Sequence, residues 1–324
     1  MKISIIIPTV RSGMMVNFQL PSFAKQTFAK EEFEIIIIDD CPIDRKDQIE
    51  NFGNTNDVNI KWMRSKKPYY RSNANIGCAR NTGLIYAKGE LIVFIDDFSV
   101  VRHKYLENVW RVYNQNKSFS HIGPVISIEY QDNPPENINE LKIRRQDERS
   151  TKRKNTRLGH CLRECSSSWF YTSNVSAPLK SLIEINGFWE MADLTREEDV
   201  LMGLALERRG RKLCFVDSSD ISVYHMEHAT YNIEKMYKYI TFNDLGWRDA
   251  NIKGRTVEGY DGNGKCGLNT NPDEVQRVTK DIFKTKYPGS WALVEHFEIN
   301  KCLKFNQEIG FDLAEERRKI GNWI

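Results

Sequence analysis

Three short runs of Ile, Val, Leu and Phe constrain this chain more than anything else in it: Ile3 to Ile7, Phe33 to Ile38 and Leu91 to Ile95. Their apolar character is near-continuous rather than alternating, and each run stops at Pro, Asp or a polar turn. Such runs bury both faces, which marks central strands of a parallel sheet. Between them, Met15 to Gln26 and Ile76 to Ala87 read as helices. Strand–helix alternation predicts an α/β sheet with helices on both faces. Ligands in such sheets bind outside the carboxyl ends of the strands. The residues that follow the runs, Pro8-Thr9, Asp39-Asp40 and Asp96-Asp97, are therefore the first candidates for a site.

Composition narrows the class. With 40% hydrophobic and 28% charged residues in 324, the chain reads as globular, and its net charge of +3 does not mark a nucleic-acid binder. Seven scattered cysteines, an odd number, fit reduced thiols better than a disulfide framework. The pair Cys161 and Cys165 lacks the second Cys/His pair of a zinc finger. No stretch approaches the ~18 consecutive apolar residues of a membrane span. The start, Met1 to Pro8, reads as a strand rather than a signal peptide. A cytoplasmic location is expected, with any membrane contact peripheral.

Further along, Asn133-Pro134-Pro135 breaks the chain, and Arg144 to Arg157 carries seven basic residues against two acidic ones. That run reads as a charged, partly ordered excursion, either solvated or placed to meet an anionic acceptor. Ser168 to Val175 is a strand candidate whose Trp169, Phe170 and Tyr171 are either strand aromatics or a stacking surface. Glu197-Glu198-Asp199 opens an amphipathic helix with Gly210 as its stop, and Leu213 to Val216 and Ile221 to Tyr224 are strand candidates. After residue 229 the segments become longer and helix-like, the last being Leu313 to Ile320. The predicted division is 1–228 as the catalytic domain and 229–324 as a mainly helical C-terminal extension. That extension would cover the acceptor side or mediate self-association as a homo-oligomer.

An acidic pair after a buried strand places carboxylates at the mouth of the sheet, where a hard cation or a ribose hydroxyl is held, or where a carboxylate simply caps the next helix. Glu198 and Asp199 suit a helix dipole equally well, or a general base for an acceptor hydroxyl. His225 follows a strand and serves either structure or metal, and His228 is a weaker candidate.

The ordered blocks Ile5-Ile6-Ile7-Pro8-Thr9, Ile35 to Asp40, Ala79-Arg80-Asn81-Thr82-Gly83 and Lys88 to Asp97 resemble the family 2 glycosyltransferases, inverting enzymes of the GT-A fold. Later, Thr172-Ser173-Asn174, Asn186-Gly187-Phe188-Trp189, Glu198-Asp199 and His225 resemble that family's acceptor-side, base and metal segments, over roughly residues 1 to 228. The resemblance implies a mixed, mostly parallel twisted sheet flanked by helices, with a Rossmann-like nucleotide-binding half. It implies a nucleotide-sugar donor, most often a UDP-sugar, and a divalent metal, Mn²⁺ or Mg²⁺. It also implies a hydroxyl acceptor that is a glycan, lipid-linked or anionic, nucleic acid included. Pro8, Thr9, Arg11 and Asp40 would contact the nucleotide. Arg80 and Asn81 would lie beside it, and Asp96 would complete the donor side. Asp97 and His225 would face the metal, and Asp199, with Glu198 beside it, would be the base.

The sequence departs from the family pattern at Arg11, where Asn is common, and at Asn75, where glycine is usual. Phe98 stands where the second acid of Asp-x-Asp normally sits, so either Asp97 takes over the metal contact, or metal binding is weaker, or it relies more on His225. Two other readings stay open. A nucleotidyltransferase would show a glycine-rich loop after the first strand, whereas Pro8 to Gly13 has one glycine. A silent binding module on the same fold would account for Phe98.

Overall fold

A computed structural model describes residues 1–10, 14–66, 76–131, 135, 137–150, 161–190, 198–226, 306 and 310–322. The three apolar runs are strands β1 (Ile3–Thr9), β2 (Phe33–Asp39) and, after β3 (Ile60–Met63), β4 (Leu91–Ile95). They lie side by side and parallel, with β1 between β2 and β4 and with β3 outside β2. Their side chains divide with a period of two, as strands must. Ile6, Ile36, Ile38, Ile92 and Phe94 enter one core, while Ile3, Ile5, Ile7, Ile35, Ile37, Val93 and Ile95 enter the other. Every one of these is fully buried, so the run without alternation is explained by cores on both faces.

The main sheet continues through β10 (Asn174–Pro178), antiparallel to β4, to β6 (Phe119–Ile122), β11 (Lys212–Asp217) and β9 (Cys161–Cys165). A second sheet of four strands is ordered β5 (Ser99–Val101), β12 (Val223–Met226), β7 (Val125–Ile128) and β8 (Ile143–Arg145). One face of the main sheet carries α1 (Leu20–Ala24), α2 (Lys46–Asn56) and α4 (Tyr105–Gln115); the other carries α3 (Ile76–Tyr86), α5 (Leu179–Glu184) and α6 (Glu198–Arg208). Helix α3 lies so close to β1 that a Cβ on Gly83 would sit 2.5 Å from Ile6 Cγ2.

Several expectations shift in detail. The helix expected over Met15 to Gln26 is a wide turn, Met15–Gln19, followed by α1. The strand expected over Ser168 to Val175 begins only at Asn174; Ser167–Trp169 is a helical turn, and Phe170 is buried in the core. The start of the basic excursion is the edge strand β8, and Arg149 is tied down by Asp147 at 2.7 Å and by the Trp169 carbonyl at 2.6 Å. The expected boundary near 229 falls outside the described residues. The closing helix is present as α7 (Leu313–Lys319), with Phe311 and Leu313 fully buried in the same core as α3 and α5.

Candidate active site

The carboxyl ends of β1, β2, β3 and β4 meet in one line of hydrogen bonds. Beyond β3, Ser65 gives its amide and hydroxyl to Asp40, at 2.9 and 2.5 Å. The Asp40 amide donates to the Thr9 carbonyl at 2.8 Å. Thr9 in turn donates its hydroxyl to Asp97 at 2.9 Å. The expected residues Thr9, Asp40 and Asp97 are thus neighbours at the end of the sheet, and Pro8 sits in register with Ile38 on β2. Asp39 faces inward instead. It is fully buried and holds Arg45 through two oxygens at 2.7 and 3.1 Å and the Trp62 indole at 3.0 Å, which is a structural clamp. Arg11, Asn75, Glu197 and His228 lie outside the described residues.

A second line runs from Asp96 to helix α6. Asp96 accepts from Ser173 at 2.6 Å and from Arg80 at 3.3 Å. The other arm of Arg80 donates to Glu198 at 2.7 Å, and the guanidinium lies over the Phe188 ring at 5.3 Å. Burial alone would lower the Arg80 pKa, but Glu198, Asp96 and Asp199 together raise it, so this buried cation is permanently charged. Asp199 is held by the amides of Val200 and Thr172 at 2.7 and 3.4 Å. Burial and the adjacent Glu198 push its carboxyl up to about 6, against the opposing pull of Arg80 and of those two amides. A carboxylate in that range is poised to take a proton near neutrality.

Asn81 has a different place. It is fully buried, and its amide spans the Phe188 backbone at 2.7 and 2.9 Å and Glu190 at 3.1 Å. It fixes the turn that carries Phe188 beneath Arg80, so its side chain is spent on that turn. Ser173 and Phe188, from the two segments that resemble the family's acceptor side, complete the site with Ser65, which no sequence signal marked.

Phe98 turns the chain from the main sheet into the second one. It adopts φ of +59°, uncommon for a bulky residue, and its buried ring packs with Phe18, Val100, Ile126 and Tyr224. The position of the second acid is therefore a core position here. The chain then runs into β5, where Ser99 pairs in register with His225 on β12. The Ser99 hydroxyl lies 3.0 Å from His225 Nδ1 and 3.3 Å from the Asp97 backbone carbonyl, so His225 is linked to the Asp97 backbone through Ser99.

Among the described residues, Asp96, Asp97, Glu198 and Asp199 lie toward this end of the sheet, with the Arg80 guanidinium between Asp96 and Glu198. These carboxyl groups, with an imidazole linked through Ser99, are a donor set that fits a hard divalent cation. Among the described residues no three such side chains close around one point. The arrangement therefore suits an ion that takes its other oxygens from a diphosphate and water, as Mg²⁺ commonly does.

Comparison with known proteins bears on the family and the fold. The family described as Glycosyl transferase family 2 matches residues 4–175. Poly(ribitol-phosphate) beta-N-acetylglucosaminyltransferase TarS of Staphylococcus aureus (strain Mu50) is 32% identical over 109 residues, 33% of this chain and 18% of that protein. Poly(ribitol-phosphate) beta-glucosyltransferase of Bacillus spizizenii is 30% identical over 128 residues, 40% of this chain and 20% of that one. The chain therefore spans about a fifth of the length of these relatives. Among solved structures, S. aureus TarS 1-349 in complex with UDP-GlcNAc matches with a TM-score of 0.52 at 16% identity, covering 99% of this chain and 84% of that one. GalNAc-T7 with UDP, GalNAc and Mn²⁺ matches with a TM-score of 0.53 at 16% identity, covering 96% and 55%. At that identity the likeness is one of fold, and the fold is the GT-A type anticipated from the sequence.

Proposed function

The chain belongs to glycosyl transferase family 2, and we propose that it moves a sugar, with inversion, from a UDP-sugar to a hydroxyl of a polyol-phosphate polymer. The observation that carries this reading is the link from Asp96 through Arg80 to Glu198 and Asp199. It joins the donor end of the sheet to a carboxyl held near neutrality. The named substrates of the poly(ribitol-phosphate) relatives support the acceptor, and the UDP-GlcNAc complex of TarS supports the donor.

In this reading Pro8, Thr9, Arg11 and Asp40 hold the nucleotide, and Asp96, fixed by Ser173 and Arg80, holds the donor beside it. Asp199 takes the proton of the acceptor hydroxyl as its oxygen bonds to the anomeric carbon. The bond from that carbon to the diphosphate breaks, and its electron pair leaves with the diphosphate. Only one carboxylate does proton chemistry, unlike the paired acids of a glycosidase. Glu198 keeps Arg80 in place and raises the basicity of Asp199. Asp97 and His225 would hold Mn²⁺ or Mg²⁺, which when bound neutralises charge on the leaving diphosphate.

A donor-hydrolysis screen over nucleotide sugars, with Mg²⁺ and with Mn²⁺, tests the proposal. Release of UDP from one donor, dependent on the cation and lowered about 10²-fold in Asp97→Ala, is expected. Cation-independent release, or pyrophosphate formation from a sugar phosphate and a nucleoside triphosphate, contradicts it.

A further inference from the structure

The first β5 residue, Ser99, touches the acidic site, and the strand's far end opens on a separate cavity. This cavity, of about 250 Å³, is lined by Lys25 at the end of α1, by Arg102 and His103 after β5, and by Asn17 and Asn139. Among the described residues its lining contains three basic side chains and no carboxylate, while Phe18, Val100 and Ile138 form an apolar floor. Arg102 is held in place, its guanidinium donating to the Tyr224 hydroxyl at 3.0 Å and to Asn139 at 3.1 Å. A fixed guanidinium flanked by lysine and histidine is a phosphate-recognition arrangement, because charge-assisted hydrogen bonds are the strong ones.

We propose that this cavity is a second anion site, which seats a backbone phosphate of the polymeric acceptor; the inference rests on the acceptor class proposed above. Size separates it from a donor site. It falls below the ~300–1,000 Å³ of pockets that enclose drug-sized ligands, so it suits one phosphate with its adjoining carbons rather than a nucleotide sugar. The apolar floor receives the carbon chain of a polyol, and the amides of Asn17 and Asn139 face its hydroxyls. Position supports the same assignment. Three strand residues at ~3.3 Å each separate Ser99 from Arg102, a span of roughly 10 Å. The turn that brings Asn17 and Phe18 to the cavity also places Gln19 on the Asp96 carbonyl, at 2.9 Å. One acceptor chain can therefore present a hydroxyl to Asp199 and a neighbouring phosphate to Arg102.

Calorimetry with a short phosphodiester-linked ribitol oligomer, at saturating UDP and low salt, tests this. The double variant Lys25→Ala/His103→Ala removes two exposed side chains. It is expected to weaken oligomer binding ~10-fold or more, while UDP affinity stays unchanged and the dephosphorylated polyol binds neither protein. Raising the salt should erase most of the difference, since screening acts within ~10 Å at 0.1 M. Unchanged oligomer affinity in the double variant, or competition between oligomer and UDP, overturns the proposal. A chain that binds the oligomer through these residues yet releases no UDP from any donor contradicts the functional reading and leaves the anion site standing.

Discussion

A carboxylate that must accept a proton near neutral pH has to be held above its range in water, and burial beside Glu198 does this for Asp199. As the proposed base, Asp199 would act when deprotonated, so kcat/KM should fall as pH drops through about 6. Glu198→Gln removes a like charge and frees Arg80 toward Asp199. A pH–rate profile should then show the acid limb moved below that of the wild type, and an unmoved limb would assign the limb to another group. The same shift has a stability consequence. A carboxyl whose folded pKa exceeds its unfolded value of 3.8 costs stability above about pH 6 and costs nothing below its unfolded pKa. Asp199→Asn should therefore be at least as stable as the wild type at pH 7, as thermal denaturation can check. Phe98 behaves in the opposite sense. Phe98→Asp, which recreates the family's second acid on paper, would bury a carboxylate among Phe18, Val100 and Tyr224. A loss of about 3–5 kcal/mol in denaturant unfolding is expected rather than a tighter metal site.

At the scale of elements, the position of α6 decides whether Asp199 reaches its target. Helix α6 crosses the turn before β10 so closely that a Cβ on Gly203 would sit 2.6 Å from Phe170 Cβ and 3.3 Å from Ser167 Cα. Gly203→Ala should push the helix outward and lower kcat about 10²-fold with a smaller change in donor affinity, measured by steady-state kinetics alongside UDP titration. This contact also shows what was and was not readable. The strands β1, β2 and β4 declared themselves because cores on both faces demand unbroken apolar runs. Asp40, Asp96 and Asp97 declared themselves because the carboxyl ends of those strands are where ligands bind. The segment Ser168 to Val175 misled because its aromatics carry strand propensity, whereas Phe170 serves as a core plug under α6. Ser173 and Phe188 lay in segments marked by the family resemblance, but their contacts with Asp96 and Arg80 appear only in the fold, and Ser65 carried no signal at all. The strand β3, Ile60–Met63, is half-buried throughout and so lacks the signal of its neighbours.

At the scale of the molecule, the end of the chain is fastened back onto the body that carries the site. Asn186 accepts the Leu313 amide at 2.7 Å and donates to the Phe311 carbonyl at 2.9 Å. Buried Arg317 donates to the carbonyls of Leu84, Ile85 and Ala87 at the end of α3, where a cation is favoured. Arg317→Ala strips these buried carbonyls of their partner, so urea unfolding should show a loss of about 2–4 kcal/mol. Because α3 carries Arg80, the same variant should also lower transfer activity. No helix among the described residues is long and apolar enough to cross a membrane. In the proposed mechanism one arrangement, Asp96–Arg80–Glu198/Asp199, binds the donor at one end and removes a proton at the other. Sugar transfer to a ribitol-phosphate oligomer by folded Asp199→Asn tests it most directly, with UDP-sugar affinity measured on the same sample. Unchanged donor affinity with transfer reduced ~10²–10⁴-fold is expected; normal transfer by that variant would rule Asp199 out as the base.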